Sequence, residues 1–517
     1  MDARGWLAVA AGKAAIIASR RLGHAGSNLP GEVARLVDPL VLVKVARGLG
    51  YDNVLITGTN GKTTTARMLA HIVELAGYDI AYNRAGANLL SGITSAYIES
   101  FAFRGQRGDQ HDRGLGLAEV DEASMPRVAE ELHPRAAVVT NFFRDQLDRY
   151  GELDHTVDLV AKGLRAMASA GTVDSAVAVL NSDDPLVAGL ARRIPRELKT
   201  ILYGVDDAAL GGPPEMRAAD ARNCVVCGAP YVYDVSYYAH LGHYRCPVCD
   251  HRRPEPSVAV LEAQGLGMAG WKLHLATPAG DIWVQLPLPG LFNVYNALAA
   301  VAGAYALGLP LAVVQQGLES FVTAFGRLER ITIRGREVRV GLVKNPVAFN
   351  VILRMVVADA GDRFEAADGA VSLLGDMPFP QNIGATEIRL GQQEQAAARV
   401  REARRYLMIV INDRAADGRD VSWLWDVDCE QLASQEKEFA FVYCSGIRAE
   451  EMALRLKYAG FPMEKVAIER DLATALAAAV SRTPPGGRLW VLPTYTALLE
   501  VREIVRRWGF APHFRER

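Results

Sequence analysis

The amino-acid sequence predicts an α/β protein with a parallel sheet in its central domain, a small cysteine-bearing insertion, and a C-terminal α/β domain. Three observations lead to this prediction. Between residues 51 and 203, short apolar runs that fit buried strands alternate with longer segments of helical periodicity. Residues 220–253 break the alternation, because Pro, Tyr and Cys replace the aliphatic runs. The alternation returns after residue 327, as expected for a second set of strands and helices.

Length and pattern together divide the chain into domains. A chain of 517 residues is too long for a single hydrophobic core. We expect residues 1–50 to form a helical segment, broken at residues 26–31, that packs on the central domain. The central domain covers residues 51–327 and contains the insertion at 220–253, and residues 328–517 form the C-terminal domain. The predicted strands are 54–56, 115–120, 136–140, 176–180, 200–202, 272–276, 282–286, 338–343, 406–411, 439–444 and 489–492, with a helix at 293–307.

Residues 57–66, TGTNGKTTTA, predict a phosphate-binding loop between a buried strand and a helix. Gly58 and Gly61 allow tight turns, so that backbone N–H groups and the helix N-terminus can point at an anion. Lys62 adds a positive charge for the phosphates, and the Thr63 hydroxyl is a natural Mg²⁺ ligand. The strict pattern has Gly where this chain has Ile56, so the motif is a variant. The predicted nucleotide-binding residues of the loop are Gly58, Thr59, Asn60, Gly61, Lys62, Thr63 and Thr64.

Polar residues follow three further predicted strands, at the edge where parallel sheets bind ligands. Glu119 begins the sequence EVDE, which either holds Mg²⁺ or forms a solvated acidic turn. Residues 141–150, NFFRDQLDRY, either support a metal or substrate carboxylate or form a charged helix start. Residues 181–185, NSDDP, either contact a nucleotide or cap a helix.

Two features at the end of the central domain add candidate ligand-binding side chains. Asn293 and Asn296 lie three residues apart at a predicted helix start, where two amides on one face either cap the helix or read an adenine edge. Arg327 lies at the predicted domain junction. There it either meets a γ-phosphate when the domains close or is an ordinary surface arginine.

Four of the six cysteines form two C-x-x-C pairs, Cys224 with Cys227 and Cys246 with Cys249. Eighteen residues separate the pairs, which is the spacing of a four-thiolate zinc ribbon. Because four thiolates complete a tetrahedral site, we predict a structural Zn²⁺ that stabilises the insertion and takes no part in catalysis. Redox dithiols are the alternative, and His243 is expected to be a surface residue.

Composition and charge disfavour several other classes of protein. The net charge of −2 provides no general attraction to nucleic acid. The cysteine pattern, without an export signal, indicates a reducing cytoplasm. The apolar run at residues 7–18 contains Lys13 and is too short to span a membrane. It is therefore either a packing helix or a membrane-surface contact.

These motifs, in this order, resemble the Mur ligase superfamily of ATP-dependent amide-forming enzymes. The resemblance rests on TGTNGKTTT, the glutamate after the next strand, N-x-x-x-D-x-L-D, N-x-D-D-P, N-x-x-N and the G-R pair at 326–327. It implies that ATP and a substrate carboxylate form an acyl phosphate, which an amine then attacks. The implied roles are phosphate and Mg²⁺ binding for Lys62 and Thr63, metal binding for Glu119, adenine binding for Asn293 and Asn296, and phosphate binding for Arg327.

The departures from that superfamily resemble its MurT branch. Gln146 replaces a histidine of typical members, the Cys₄ insertion is added, and the usual carbamylated lysine has only Lys162 as a positional candidate. Residues 141–152, NFFRDQLDRYGE, and 417–426, DGRDVSWLWD, also match this branch. The resemblance implies a ligase subunit that takes ammonia from a separate GatD-type glutamine amidotransferase. Its substrate would be the α-carboxylate of the D-glutamate in lipid II, which becomes D-isoglutamine.

The same resemblance implies that an aspartate of the C-terminal domain completes the Cys–His pair of the partner. Asp420 and Asp426 are the candidates, and ordinary turn carboxylates are the alternative. The implied cofactors are ATP, Mg²⁺ and structural Zn²⁺, and the implied location is the cytoplasm, at the inner face of the cell membrane. Residues 361–396 are expected to form a loop-rich excursion.

Two other functions compete with this reading. The first is a self-sufficient Mur-type ligase that adds an amino acid, and Gln146 together with the Cys₄ insertion disfavours it. The second is a zinc-ribbon ATPase that binds nucleic acid. Basic residues do lie near the ribbon, but the net charge of −2 and the lack of a wider basic stripe disfavour it.

Overall fold

The computed structural model describes residues 1–21, 28–83, 87–101, 114–145, 153–168, 176–212, 220–322, 327–359 and 405–510. The chain divides into two compact units, Met1–Val322 and Thr323–Arg517. Each unit combines a largely parallel sheet with helices, so the predicted α/β class is confirmed.

Three helices open the first unit: α1 (Ala3–Arg21), α2 (Leu29–Val37) and α3 (Val41–Leu49). The predicted break at residues 26–31 is wrong at its C-terminal end, because Pro30 and Gly31 belong to the first turn of α2. Proline fits the first helical turn, since its missing N–H has no partner there. Gly31 packs so closely that a β-carbon would lie 1.8 Å from the carbonyl oxygen of Ser91. No helix in the described stretches is both long enough and apolar enough to cross a bilayer.

The strands of the first unit are β1 (Asp52–Thr57), β2 (Asp79–Tyr82), β3 (Gly114–Glu119), β4 (Ala136–Val139), β5 (Val177–Asn181), β6 (Lys199–Val205), β7 (Val232–Tyr238), β8 (Leu241–Arg245), β9 (Val258–Gly265), β10 (Trp271–Thr277) and β11 (Gly280–Leu286). Within the described residues, nine of them form one sheet in the order β11-β10-β9-β6-β5-β4-β1-β3-β2. The sheet is parallel from β2 to β9 and antiparallel from β9 to β11.

Helices flank this sheet and bury its apolar strands. They are α4 (Lys62–Leu75), α5 (Leu90–Ser100), α6 (Met125–Leu132), α7 (Leu153–Ala168), α8 (Pro185–Gly189), α9 (Leu291–Ala306) and α10 (Leu311–Glu319). Val54, Leu55 and Ile56 of β1 are fully buried, which fits a central strand with helices on both faces. The carboxyl ends of β1, β3, β4 and β5 meet at one edge of the sheet, where the predicted motifs lie.

The cysteine-bearing insertion forms a small module with an antiparallel hairpin of β7 and β8. Its own core contains Tyr231 and Tyr244 packed beside Cys224 and Cys246. A core of this size needs a further constraint to be stable, since small modules bury little apolar surface.

The second unit contains β12 (Arg327–Ile333), β13 (Arg336–Gly341), β14 (Arg405–Val410), β15 (Phe439–Ser445), β16 (Val466–Ile468) and β17 (Arg488–Pro493). Its described helices are α11 (Pro346–Ala358), α12 (Glu430–Ser434), α13 (Ala449–Tyr458), α14 (Leu472–Arg482) and α15 (Tyr495–Arg507). The strand order is β12-β13-β17-β14-β15-β16, and all pairs except β12–β13 are parallel. The predicted excursion at 361–396 lies outside the described residues.

Candidate active site

The predicted phosphate loop connects β1 to α4 and has the backbone geometry that its glycines require. Gly58 has a φ of +116° and Gly61, which precedes the helix, has a φ of +88°. Side chains other than glycine rarely adopt such angles. Among the described residues, no side chain caps the N-terminus of α4. The N-terminus of a helix is where backbone N–H groups bind anions, so phosphate binding here stays the prediction.

The loop is held in place by the segment that follows β4. The backbone carbonyl of Asn141 accepts from the N–H of Thr59, and its side-chain oxygen accepts from the N–H of Asn60, both at 2.8 Å. The Thr140 hydroxyl donates to the carbonyl of Asn60 at 2.8 Å. Asn141, which was predicted to support a metal or a carboxylate, thus orients the phosphate loop. Residues 146–150 of the same motif lie outside the described residues.

Lys62 is buried and forms an ion pair with Glu122. Its ammonium nitrogen lies 3.0 Å from Oε1 of Glu122 and 2.5 Å from the carbonyl oxygen of Gly58. Burial opposes the lysine charge, but the carboxylates of Glu122, Glu119 and Asp121 outweigh burial and raise the pKa of Lys62. Burial raises the pKa of Glu122. Lys62 therefore keeps its positive charge in a fixed position at the loop, where it can bind a polyphosphate.

Thr63 and Glu119 form the arrangement expected of a Mg²⁺ site. The Thr63 hydroxyl donates to Oε1 of Glu119 at 3.0 Å. The other carboxylate oxygen, Oε2, is buried and has no hydrogen-bond partner within the described residues. Asn83 fixes the backbone of Glu119 through two hydrogen bonds of 2.9 and 2.8 Å. A buried carboxylate oxygen without a partner calls for a ligand, and oxygen donors of this kind suit Mg²⁺.

The two predicted asparagines lie on the first turns of α9, beside the phosphate loop. The Asn296 amide donates to Oδ1 of Asn293 at 3.1 Å, and the Asn293 amide donates to the carbonyl of Pro289 at 2.7 Å. Within the described residues, no side chain caps α9, so these amides do not act as N-caps. The Thr65 hydroxyl of α4 donates to the carbonyl of Asn296 at 3.4 Å, which joins the two helices. The adenine-reading role stays a prediction.

The Asn-Ser-Asp-Asp-Pro motif is a buried structural network. Asp184 accepts from the N–H groups of Leu186 and Val187 and so caps α8. Asp183 is fully buried, and its carboxylate accepts from Arg253 at 2.6 Å and from Tyr295 at 2.6 Å. The sequence left open whether this motif contacts a nucleotide or caps a helix, and for Asp184 the structure shows the helix cap.

The partners of these aspartates were not identified from the sequence. Burial opposes the charge of Arg253, but Asp183 and Asp206 outweigh it and raise the pKa of the guanidinium. His240 is fully buried and lies 3.4 Å from the Asp184 carboxylate. The expectation that His243 is a surface residue is wrong. It is half-buried, and its Nε2 lies 2.8 Å from the carbonyl oxygen of Val205.

The four paired cysteines converge in the insertion. Their sulfurs all lie within 4.8 Å of one another, with Cys224 and Cys249 3.6 Å apart and Cys227 and Cys246 3.4 Å apart. Thiolates around a tetrahedral zinc with bonds near 2.3 Å stand about 3.8 Å from each other. Backbone N–H groups of Val226 and Val248 point at Cys224 and Cys246, each at 3.4 Å. These four residues can hold a metal ion, and no further ligand is needed.

The local backbone favours the ionised form, which binds metal, for two of the four thiols, Cys224 and Cys246. Backbone N–H groups oppose a rise in the pKa values of Cys227 and Cys249, but hydrogen bonds with the neighbouring cysteines and burial outweigh them and raise both values. Burial raises the pKa of Cys224, but hydrogen bonds from the N–H groups of Cys227 and Val226 outweigh burial and lower it to about 6. The pKa of Cys246 is lowered as well, because the N–H groups of Val248 and Cys249 outweigh its burial. The remaining cysteines, Cys429 and Cys444, are buried elsewhere, in the second unit.

The predicted aspartates of the second unit lie in the loop that follows β14. Asp420 is exposed, and a hydrogen bond of 2.8 Å from the N–H of Ser422 lowers its pKa. Asp426 is half-buried and ends a short helical turn, Ser422–Asp426.

The start of this loop is anchored to the segment after β17. Asp417 accepts from the N–H of Thr496 at 2.7 Å, and the N–H of Asn412 donates to the Thr494 hydroxyl at 2.9 Å. Arg327 begins β12 in the same unit, and its predicted phosphate contact stays a prediction.

Comparison with known proteins decides the family. Residues 56–225 match the model of the Mur ligase middle domain, and residues 390–498 match the model described as MurT ligase C-terminal. The subunit MurT of the glutamine-hydrolysing lipid II isoglutaminyl synthase from Staphylococcus aureus (strain N315) is 32% identical, over 98% of each chain. The chain belongs to the MurT family. The corresponding subunit from Streptococcus pneumoniae (strain ATCC BAA-255 / R6) is 28% identical, again over 98% of each chain.

The fold is that of the Mur ligases. A pseudomurein peptide ligase type C from Methanothermus fervidus superposes with a TM-score of 0.58 at 20% identity, covering 89% of this chain and 79% of that one. Membership of the MurT family makes the chain a Mur ligase-type, ATP-dependent ligase. Members of this kind use ATP and Mg²⁺, and the geometry of Lys62, Thr63 and Glu119 fits both.

Proposed function

We propose that this chain is the synthetase subunit of a two-subunit enzyme that amidates lipid II. It uses ATP to convert the α-carboxylate of D-glutamate in the stem peptide to D-isoglutamine, with ammonia from a GatD-type glutaminase. The observation that carries the proposal is the alignment over 98% of the S. aureus MurT subunit, which is named for this reaction. The phosphate loop and its buried carboxylates provide the chemistry for the ATP half of the reaction.

The reaction has two steps. An oxygen of the substrate carboxylate attacks the γ-phosphorus of ATP, the bond to the β-phosphate breaks, and an acyl phosphate and ADP result. Ammonia then attacks the acyl carbon, phosphate leaves, and a proton is released as the amide forms. Both steps develop negative charge on phosphate oxygens, which fixed positive groups stabilise.

Residues of the first unit have separate tasks in these steps. Lys62 and the N–H groups at the start of α4 bind the phosphates. Thr63 and Glu119 would hold Mg²⁺, which would supply positive charge to stabilise the phosphates. Asn293 and Asn296 contact the adenine, and Arg327 binds the phosphates.

The four cysteines would hold a structural Zn²⁺. The donor set consists of four sulfurs at separations that suit a tetrahedral ion, which leaves no position open for substrate. The ion therefore stabilises the small module, whose own core contains few large side chains.

The C-terminal unit carries the surface that would meet the glutaminase. Trp425 is 52% exposed and Tyr458 is 70% exposed, and their rings lie 5.6 Å apart in an edge-to-face arrangement. Exposed aromatic pairs of this kind are enriched at protein interfaces. Asp426 directly follows Trp425, so a docked partner would contact this carboxylate. Either Asp426 or Asp420 orients the catalytic histidine of the partner.

The proposal places the enzyme in the cytoplasm, at the inner face of the cell membrane, because its substrate is bound to lipid there. The alternative substrate is a soluble precursor, since it has the same stem peptide and therefore the same carboxylate.

The deciding experiment is an amidation assay with the purified chain, lipid II and ATP-Mg²⁺. Ammonium and glutamine are compared as nitrogen sources, each with and without a GatD-type glutaminase. We expect amide from ammonium in both cases, and amide from glutamine only when the glutaminase is present. Formation of product only on addition of an amino acid would instead establish a self-sufficient Mur-type ligase.

A further inference from the structure

Helix α1 is apolar on both of its faces, although only one face is buried among the residues that the structure describes. Its buried side contains Gly5, Ala8, Val9 and Gly12. A helix that is apolar all round is normally enclosed on all sides. The outer side of α1 is instead exposed.

The exposed side of α1 forms one continuous stripe. Leu7 is 65% exposed and Ile17 is 54% exposed, and Ala10 and Ala14 lie between them on the same side. These positions are spaced by three and four residues, so they follow one face of the helix. Helix α2, which contacts α1, also contains an exposed leucine, Leu36, with 84% exposure. We call Leu7, Ala10, Ala14 and Ile17 the outer stripe of α1.

The first fifty residues, which contain the outer stripe, carry a net charge of opposite sign to that of the rest of the chain. Residues 1–50 contain seven Lys and Arg against three Asp and Glu, a net charge of +4, whereas the whole chain carries −2. Arg20 and Arg21 end α1, where Arg20 also forms an exposed ion pair with Glu99. Lys13, in the middle of the helix, donates to the carbonyl of Phe101. An apolar helix face with flanking cations is the pattern of a helix that lies in the interface of an anionic bilayer.

We propose that the outer stripe of α1 is a membrane-docking surface that seats the first unit on an anionic lipid bilayer. The helix lies parallel to the membrane, with Leu7 and Ile17 below the headgroups and the exposed Arg20 and Arg21 among the phosphates. The biological sense of this contact rests on the proposed function, since a lipid-bound substrate requires an enzyme at the membrane surface. The binding itself is independent of the reaction and is tested without it.

The test is co-sedimentation of the full chain with lipid vesicles. Vesicles of phosphatidylglycerol and phosphatidylcholine are compared with vesicles of phosphatidylcholine alone. The double variant L7E/I17E introduces two acids at exposed positions, and glutamate is a good helix former, so α1 is retained. The matched control is L499E, which makes the same kind of change at a 45% exposed leucine of the second unit.

We expect the wild-type chain and L499E to bind the anionic vesicles, and L7E/I17E to bind at least tenfold more weakly. Raised salt should weaken the wild-type binding, because screening reduces the attraction of the basic residues. Unchanged binding of L7E/I17E, or no binding by the wild-type chain, overturns the proposal. So does loss of the complex with the glutaminase in L7E/I17E, because the stripe would then be a protein interface.

A second assay separates this proposal from the proposed function. L7E/I17E should amidate a water-soluble substrate that has the stem peptide but no polyprenyl chain at the wild-type rate. If L7E/I17E still amidates the water-soluble substrate but no longer binds vesicles, the result supports the outer stripe as the membrane-docking surface. A wild-type chain that binds vesicles but fails to amidate either substrate contradicts the proposed function and leaves the docking surface in place.

Discussion

The side-chain oxygen of Asn296 occupies the space in which a side chain at Gly61 would begin. A β-carbon built on Gly61 would lie 2.1 Å from Oδ1 of Asn296, far inside van der Waals contact. Gly61 also has a φ of +88°, which favours glycine. Two independent constraints therefore require glycine at the point where the phosphate loop meets α9.

We predict that Gly61→Ala weakens ATP binding at least tenfold and lowers the free energy of unfolding by about 1–3 kcal/mol, because strain and a steric clash act together. Calorimetric titration with ATP and urea unfolding measure the two effects. Gly77→Ala is the matched control, since Gly77 has a φ of +82° and open space around its missing β-carbon. Gly77→Ala should lower the free energy of unfolding through backbone strain but bind ATP as the wild type does. ATP binding by Gly61→Ala at the wild-type level contradicts this account.

Lys62→Ala should abolish ATP-dependent amidation while the fold persists. The ammonium is the buried positive charge at the loop, and its loss leaves Glu122 unpaired where the phosphates would bind. We expect the rate with ammonium as the nitrogen source to fall by about 10²-fold or more. Lys199→Ala, at an exposed position of β6, is the control and should keep full activity. Normal turnover by Lys62→Ala would show that this loop does not bind the phosphates of ATP.

The fold could be predicted from the sequence where apolar runs were long and their environment was uniform. The run at Val54, Leu55 and Ile56 predicted β1, because a strand covered on both faces is apolar throughout. Strand β2 was missed, since it has four residues and two of them are only partly buried. The placement of Gly31 inside α2 depends on contact with Ser91, which no local pattern reveals.

The site could be predicted only where one short segment contains the chemistry. The phosphate loop is such a segment, and Gly58 and Gly61 have the positive φ angles that its predicted tight turns require. The roles of Asp183 and Asp184 could not be decided, because their partners are distant in the chain. Arg253 lies 70 residues and Tyr295 112 residues from Asp183. The pairing of Lys62 with Glu122 likewise depends on a contact across 60 residues.

Asp183→Asn tests whether the buried network is structural. The change leaves the Arg253 guanidinium without its carboxylate in a buried site, so we expect a loss of about 3–5 kcal/mol in the free energy of unfolding. Urea unfolding measures the loss, and KM for ATP should stay near the wild-type value. An exposed Asp–Arg pair, Asp234 with Arg245, provides the control. Asp234→Asn should change stability by less than about 0.5 kcal/mol. A large rise in KM for Asp183→Asn at unchanged stability would instead indicate contact with the nucleotide.

Cys224→Ser together with Cys227→Ser should remove the bound zinc and destabilise the first unit. Two of the four sulfurs are lost, and the small module has few other constraints. Elemental analysis of the purified protein should show about one zinc per chain in the wild type and none in the double variant. Cys444→Ala, which changes an isolated buried cysteine, should retain the metal. Zinc that remains at one per chain in the double variant would exclude this site.

Asp420→Asn and Asp426→Asn test which carboxylate serves the glutaminase. The proposed role of either aspartate concerns only the histidine of the glutaminase, so both variants should amidate lipid II from ammonium at the wild-type rate. The variant that removes the carboxylate orienting the partner's histidine should lose amidation from glutamine by about 10²-fold or more, while the other keeps it. Binding of the glutaminase is measured in parallel, because a lost complex would produce the same kinetic defect. Asp420 is exposed and accepts from its own loop, whereas Asp426 adjoins the exposed ring of Trp425. We therefore expect Asp426→Asn to be the defective variant, and full glutamine-dependent activity in both variants would exclude a catalytic role for either.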